Sequence, residues 1–202
     1  MYLAKIYVTL KPTVNDPRGN AVLGSLRTCA QMISYEIPMG FSVIGVVMLA
    51  QSMSLVDIVE AQAGLWNVVY QPLGFFVFFV AAIAEAQRIP FDLPEADGDL
   101  GAGYHTEYSG MRFSFFMISE YLILVLMSAL IVILFFGGWH GAPIPLPGPV
   151  WFLLKVSFFI WVFMWIRFTF PRYRYDQLMT IGWKVLLPLS LANILITGIF
   201  FA

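Results

Sequence analysis

Apolar runs of about 20 residues recur along this chain, each long enough to cross the ~30 Å hydrocarbon layer of a bilayer as a helix. Five stand out, at 24–50, 65–86, 113–136, 150–170 and 183–201. None alternates polar and apolar positions with period two, which argues against a membrane β-barrel. A helix satisfies its own backbone N–H and C=O groups, as lipid requires, so each run predicts a spanning helix. The connections are polar or broken. Residues 137–149 carry four prolines and four glycines and cannot be helical throughout. The pattern predicts an all-α membrane protein of about five transmembrane helices, forming a single multi-pass domain over 1–202.

Composition sharpens this picture. Sixty per cent of the 202 residues are hydrophobic and only 11% are charged, more apolar surface than a soluble domain of this size can bury. No basic arm or arginine-rich face is present, so a nucleic-acid partner is not expected. Cys29, the single cysteine, can form neither an internal disulfide nor a cysteine metal cluster, and reads as a small packing residue. The first 13 residues have no continuous apolar stretch and no small-residue cleavage site, so no signal peptide is expected.

Charge sets the expected orientation. Ten of the 11 Lys and Arg residues fall on one side of the predicted spans: Lys5, Lys11, Arg18, Arg27, Arg88, Arg112, Arg167, Arg172, Arg174 and Lys184. The loops at 51–64 and 137–149 hold none. The positive-inside rule then predicts an inner N-terminus and an outer C-terminus. Lys155 is the exception, near the outer end of the fourth run, where its stem could snorkel outward.

Carboxylates inside spans are costly and usually line a cavity or a proton path. Glu36 lies about half-way along the first run, two residues before Pro38. Glu85 lies at the inner end of the second run, with Arg88 one turn on. Glu120 lies seven residues into the third run. All three are expected to be buried and to serve a proton path, against the plainer reading that each is held by one structural partner. The inner loop 87–112 adds Asp92, Glu95, Asp97, Asp99 and Glu107, interleaved with Phe91, Leu93, Leu100 and Tyr104 and pinned by Pro90 and Pro94. A calcium loop fails on spacing, because the twelfth position counted from Asp97 is Tyr108. His105 is isolated, so no metal site is expected. The interleaved apolar residues favour a folded loop over a merely solvated one. The turn at 171–182 holds Arg172, Arg174 and Asp176. It is either a membrane-surface anchor or a set of charges closing a cavity against the acidic loop. No catalytic triad, phosphate loop, dinucleotide fingerprint or haem-ligating histidine pair is present, so redox chemistry by this chain alone is not expected.

Three segments carry a resemblance. They are Leu26-Arg27-Thr28-Cys29-Ala30-Gln31-Met32-Ile33-Ser34-Tyr35-Glu36, the stretch from Ala84 to Gly110, and Phe170-Pro171-Arg172-Tyr173-Arg174-Tyr175-Asp176-Gln177-Leu178-Met179. Together they resemble the quinone-site membrane subunit of respiratory complex I, the family of the bacterial NADH-quinone oxidoreductase H subunit and its mitochondrial NADH dehydrogenase counterpart. The resemblance implies a subunit that forms part of a quinone chamber, anchors a peripheral arm and couples quinone reduction to proton translocation. It implies a proton path through Glu36, Glu85, Glu107 and Glu120. It places Arg88, Asp92, Glu95, Asp97 and Asp99 at the chamber and loop, and Arg172 and Arg174 near the chamber entrance. Quinone is then a substrate, with no cofactor bound by this chain. The implied partners are the iron–sulfur and quinone-site subunits, the antiporter-like membrane subunits and lipid. The implied location is the bacterial inner membrane or the mitochondrial inner membrane. Family members have eight spans, so the first three helices are expected to be missing here. A membrane anchor of a related hydrogenase or dehydrogenase that does not use quinone is the alternative. A proton-coupled transporter is a third reading, but it should show an internal repeat, and none is found.

Overall fold

The structure is a computed structural model that describes residues 20–86, 90–91, 110–141, 147–171, 173 and 175–201. Every regular element among these residues is helical. The helices are α1 (Asn20–Ala50), α2 (Leu55–Ala61), α3 (Asn67–Tyr70), α4 (Pro72–Glu85), α5 (Met111–Phe135), α6 (Gly148–Thr169), α7 (Tyr175–Thr180) and α8 (Leu187–Phe201). A π-helical stretch, Ile181–Leu186, joins α7 to α8 without a break. Four helical segments are long and apolar enough to cross a membrane: Cys29–Ala50, Met117–Phe135, Gly148–Thr169 and Asp176–Phe200.

The second predicted run behaves differently. It is not one helix over 65–86, because the chain breaks at Gln71, whose φ of −131° and ψ of 64° are not helical. Pro72 explains the break: its ring disfavours the α conformation for the residue before it, and its fixed φ suits the first position of α4. The 14 residues of α4 extend only about 21 Å at 1.5 Å per residue. That is short of the hydrocarbon thickness, and the four-residue α3 and Gln71 precede it.

α1 is the centre of the packing, with its largest contacts to α4 and α8. Its buried positions are Gln31, Ser34, Tyr35, Pro38, Ser42, Gly45 and Val46, a stripe at helical spacing. α4 answers with small residues, Gly74, Ala81, Ala82 and Ala84, which let helix backbones approach closely in lipid. A second layer is aromatic. Phe79 stacks on Phe163 at 5.4 Å, and Phe136 meets Phe159 edge-on at 4.9 Å. Phe75 reaches Phe135, Phe136 and Phe159, so α4, α5 and α6 share one ring cluster. The outward faces are apolar, as at Phe158, Trp161 and Trp165 of α6 and Leu122 and Leu126 of α5, which suits a lipid solvent.

The bundle has two polar ends. The near end holds the start of α1, the end of α4, Phe91 and α7. The far end holds the end of α5, α2, α3 and the start of α6.

Candidate functional site at the near end

Gln31 is the hub of the near end. Its Nε2 donates to the carbonyls of Ala84, in the last turn of α4, at 3.2 Å and of Phe91 at 3.0 Å. One amide thus ties α1 to α4 and to the residues where the acidic loop begins. Tyr35, one turn further along α1 and 1% exposed, does the same for α7: its hydroxyl donates to the Leu178 carbonyl at 2.9 Å. The Tyr35 ring lies 5.6 Å from that of Phe91, which lies 5.9 Å from that of Tyr173. Tyr173 N–H donates to the Pro90 carbonyl at 3.2 Å. Three stretches of sequence, around positions 31, 91 and 173, therefore interlock.

Ser34 extends the clamp. Its hydroxyl accepts from Trp183 Nε1 at 2.9 Å and donates to the Ala30 carbonyl at 2.6 Å. Gly182 permits this approach: a Cβ there would meet Ser34 Cβ at 3.3 Å and Ser34 O at 3.4 Å. Both Gly182 and Trp183 lie in the π-helical stretch. Such one-turn widenings concentrate at functional sites, and here it carries the indole to α1. Beside the clamp an open cleft of about 480 Å³ is lined by Tyr173, Asp176, Gln177, Thr180 and Ile181.

The expected acids fall in three settings. Glu120 is 4% exposed within α5. Glu85 is half-buried as the last residue of α4, next to the Ala84 carbonyl that Gln31 holds. Glu36 corrects the expectation of burial, for it lies on the exposed side of α1. The reason is azimuthal. Tyr35 and Pro38 belong to the buried stripe, and each residue turns the helix by about 100°, so Glu36 shares the side of Ile33 and Ile37, both exposed. Arg88, Asp92, Glu95, Asp97, Asp99, Glu107, Arg172 and Arg174 lie outside the described residues, as does His105. Among the described residues no group of three His, Cys, Asp or Glu side chains is placed to hold a metal ion.

Charge alone does not point to the residues that build this site. Gln31, Ser34 and Tyr35 are polar groups on the buried stripe, and their signal is periodicity. Lys155 is a further correction. It does not snorkel: at 9% exposure its Nζ donates to the carbonyls of Phe136, Gly138 and His140 at 2.6, 3.2 and 2.5 Å. These groups follow the end of α5, where a cation compensates the negative end of the helix dipole.

Known proteins match this chain along nearly all of its length. The family model described as NADH dehydrogenase matches residues 6–198. A Rhizobium meliloti (strain 1021) protein, the second NADH-quinone oxidoreductase H subunit of that organism by name, is 79% identical over 90% of this chain and 56% of its own length. The NADH-quinone oxidoreductase H subunit of Anoxybacillus flavithermus (strain DSM 21510 / WK1) is 55% identical over 89% of this chain and 54% of its own. That of Geobacillus thermodenitrificans (strain NG80-2) is 57% identical over the same shares. The chain spans about half the length of the curated relatives it matches. On the family match over residues 6–198, the chain belongs to the NADH dehydrogenase family.

Proposed function

We propose that this chain is a membrane subunit of a proton-pumping NADH:quinone oxidoreductase. It acts without autonomous catalysis, as part of the wall of a quinone chamber, as an anchor for a peripheral redox arm and as the start of a proton path. The observation that carries the reading is the clamp: Gln31, Tyr35, Phe91 and Tyr173 bring together the three segments by which the chain resembles the quinone-site subunit. A quinone needs an apolar wall for its tail and polar groups for its head. The cleft beside Tyr173 and Ile181 supplies the first, and Arg88, Asp92, Glu95, Asp97, Asp99, Arg172 and Arg174 are assigned the second. Glu85, Glu107, Glu120 and Glu36 are assigned the path by which quinone reduction moves protons or charge. On this reading the near end, where the Lys and Arg residues gather, faces the inner side, with the N-terminus inside and the C-terminus outside. The partners are iron–sulfur and antiporter-like subunits in a bacterial or mitochondrial inner membrane, and one domain spans 1–202.

Affinity purification of the tagged chain from its native membrane, followed by inhibitor-sensitive quinone reductase assay, tests the reading. Co-purifying iron–sulfur subunits with quinone activity are expected. Partners of a hydrogenase type with no quinone activity would instead favour a non-quinone anchor. In the same preparation Glu85→Gln should lower quinone turnover on the order of tenfold or more, the scale of a lost proton-transfer group, with subunit composition unchanged. Wild-type turnover in that variant would make Glu85 structural.

A further inference from the structure

The last helix changes its period where it passes the cleft. From α7 through the π-helical stretch into α8 the buried positions are Leu178, Gly182, Leu186, Ser190, Asn193 and Thr197. They step by four, four, four, three and four residues. Four residues of an unbroken α-helix turn through about 400°, so three such steps would swing Leu178 about 120° away from Ser190. The extra residue of a π turn takes back about 100° of that. Leu187 N–H marks the widening by donating to the Gly182 carbonyl, five residues back. The sequence calls for it. Pro188 follows within the continuous helix, and in a regular α turn its ring would clash with the carbonyl of Lys184.

The widened register decides what lines the cleft. It turns Leu178 inward, 0% exposed, with its carbonyl bonded to the Tyr35 hydroxyl. It leaves Asp176, Gln177 and Thr180 on the outer side, where they line the cleft with Tyr173 and Ile181. A rotation by one residue would carry them off that wall. Gly182 lets the stretch come close to Ser34, but close approach alone does not fix rotation. The bond from Trp183 Nε1 to Ser34 Oγ, 2.9 Å long and anchored on a buried residue of α1, is directional and does. Trp183 itself is not among the residues lining the cleft.

We infer that Trp183 is a positioning residue for quinone: through Ser34 it holds the π-helical register that presents Asp176, Gln177 and Thr180 to the cleft. The inference rests on the quinone reading proposed above. Loss of the bond frees the turn to rotate. That weakens the hold on quinone in the cleft and leaves the rate of its reduction, which other groups perform, unchanged.

The test is a steady-state titration with a short-chain quinone on the tagged chain purified with its accompanying subunits, for the wild type, Trp183→Phe, Ser34→Ala and the double variant. Trp183→Phe keeps an aromatic ring and loses the donor. It should raise KM about three- to tenfold, the scale of one lost hydrogen bond, with kcat within about twofold of the wild type. Ser34→Ala should match it, and the double variant should be no worse than either, because all three lose the same bond. A merely structural tryptophan would instead lower the yield of active complex, and so kcat, at constant KM. That result overturns the inference, as do additive effects in the double variant. A wild type without quinone turnover sinks the quinone reading and the substrate named here. A cryo-EM map of the wild type and Trp183→Phe then decides the register: residues 176–181 should turn in the variant, and an unmoved turn overturns the inference. Ser34→Ala serves alone if Trp183→Phe does not accumulate.

Discussion

The two polar ends of this bundle are built from the same kinds of bond, but they differ in what those bonds hold and in what lies beside them. At the far end Gln62 uses both amide atoms. Its Nε2 reaches the carbonyls of Ile58 and Ile133, and its Oε1 accepts from the N–H groups of Asn67 and Gly137. Asn67 Nδ2 donates to the Leu134 carbonyl at 3.0 Å. Lys155 adds three carbonyls around its ammonium, which lies 4.9 Å from the Trp66 ring centroid. At the near end Gln31 holds two carbonyls with one nitrogen, while its Oε1, like His140 Nε2 at the far end, has no partner among the described residues. A π-helical stretch widens the last helix there, and a cleft opens beside it. The far end is a lock on α5, and the near end is a clamp beside an open cleft.

The largest expected effect lies in the lock. Lys155→Met keeps the length of the stem but removes the ammonium that three carbonyls share. Orphaning buried carbonyls costs about 1–3 kcal/mol each before any relaxation, so this variant should lose roughly 3 kcal/mol or more and unfold well below the wild type in a thermal melt. A shift no larger than that of a surface change would mean that the lock is decorative and the comparison false. Gly138→Ala should follow closely. Gly138 has a φ of +50°, and a Cβ there would lie 2.8 Å from Val59 Cγ2, so strain and a clash act together at roughly 2 kcal/mol.

The clamp should respond differently. Gln31→Leu orphans the Ala84 and Phe91 carbonyls but also removes the unpaired oxygen, so its net cost in stability should stay below that of the lock, at about 1–2 kcal/mol. Its effect on function should exceed that, because Phe91 and the loop after it lose their tie to α1. The measurement is a melt paired with quinone turnover on one preparation. A large fall in melting temperature with turnover intact would make Gln31 a second lock and erase the difference between the two ends.

Much of this is legible in the residues. The apolar runs mark α1, α5, α6 and the long final helix, because lipid leaves a sequence few ways to span. The break at Gln71 is legible too, in the proline that follows it, though run length alone joins 65–86. The lock is not legible. Lys155 reads as a charge near a membrane surface, and nothing local says that carbonyls 15 to 19 residues earlier in the chain will surround it. Gln62 and Asn67 carry no charge and so do not stand out, yet they hold α5 to α2 and α3. Depth along a helix can be counted from sequence. The side on which a residue faces depends on which neighbours pack, and that is why Glu36 reads as buried when it is exposed.

Glu36 gives the smallest expected effect on stability and the sharpest test of what exposure means here. It shares the exposed side of α1 with Ile33, Ile37 and Ile44, so within this chain Glu36→Gln breaks no packing and should shift stability by no more than about 0.5 kcal/mol. A carboxylate flanked by isoleucines is nevertheless a poor neighbour for hydrocarbon. If the proposed proton path includes it, the variant should keep its melting temperature and its subunits while losing proton pumping. Pumping is read as acidification or quenching of a pH-sensitive dye in sealed vesicles, alongside quinone turnover. Unchanged pumping would remove Glu36 from the path and leave Glu85 and Glu120 as the described acids that carry it. A destabilised variant would mean that this side of α1 is covered in the membrane, and that the near end is as tightly built as the far one.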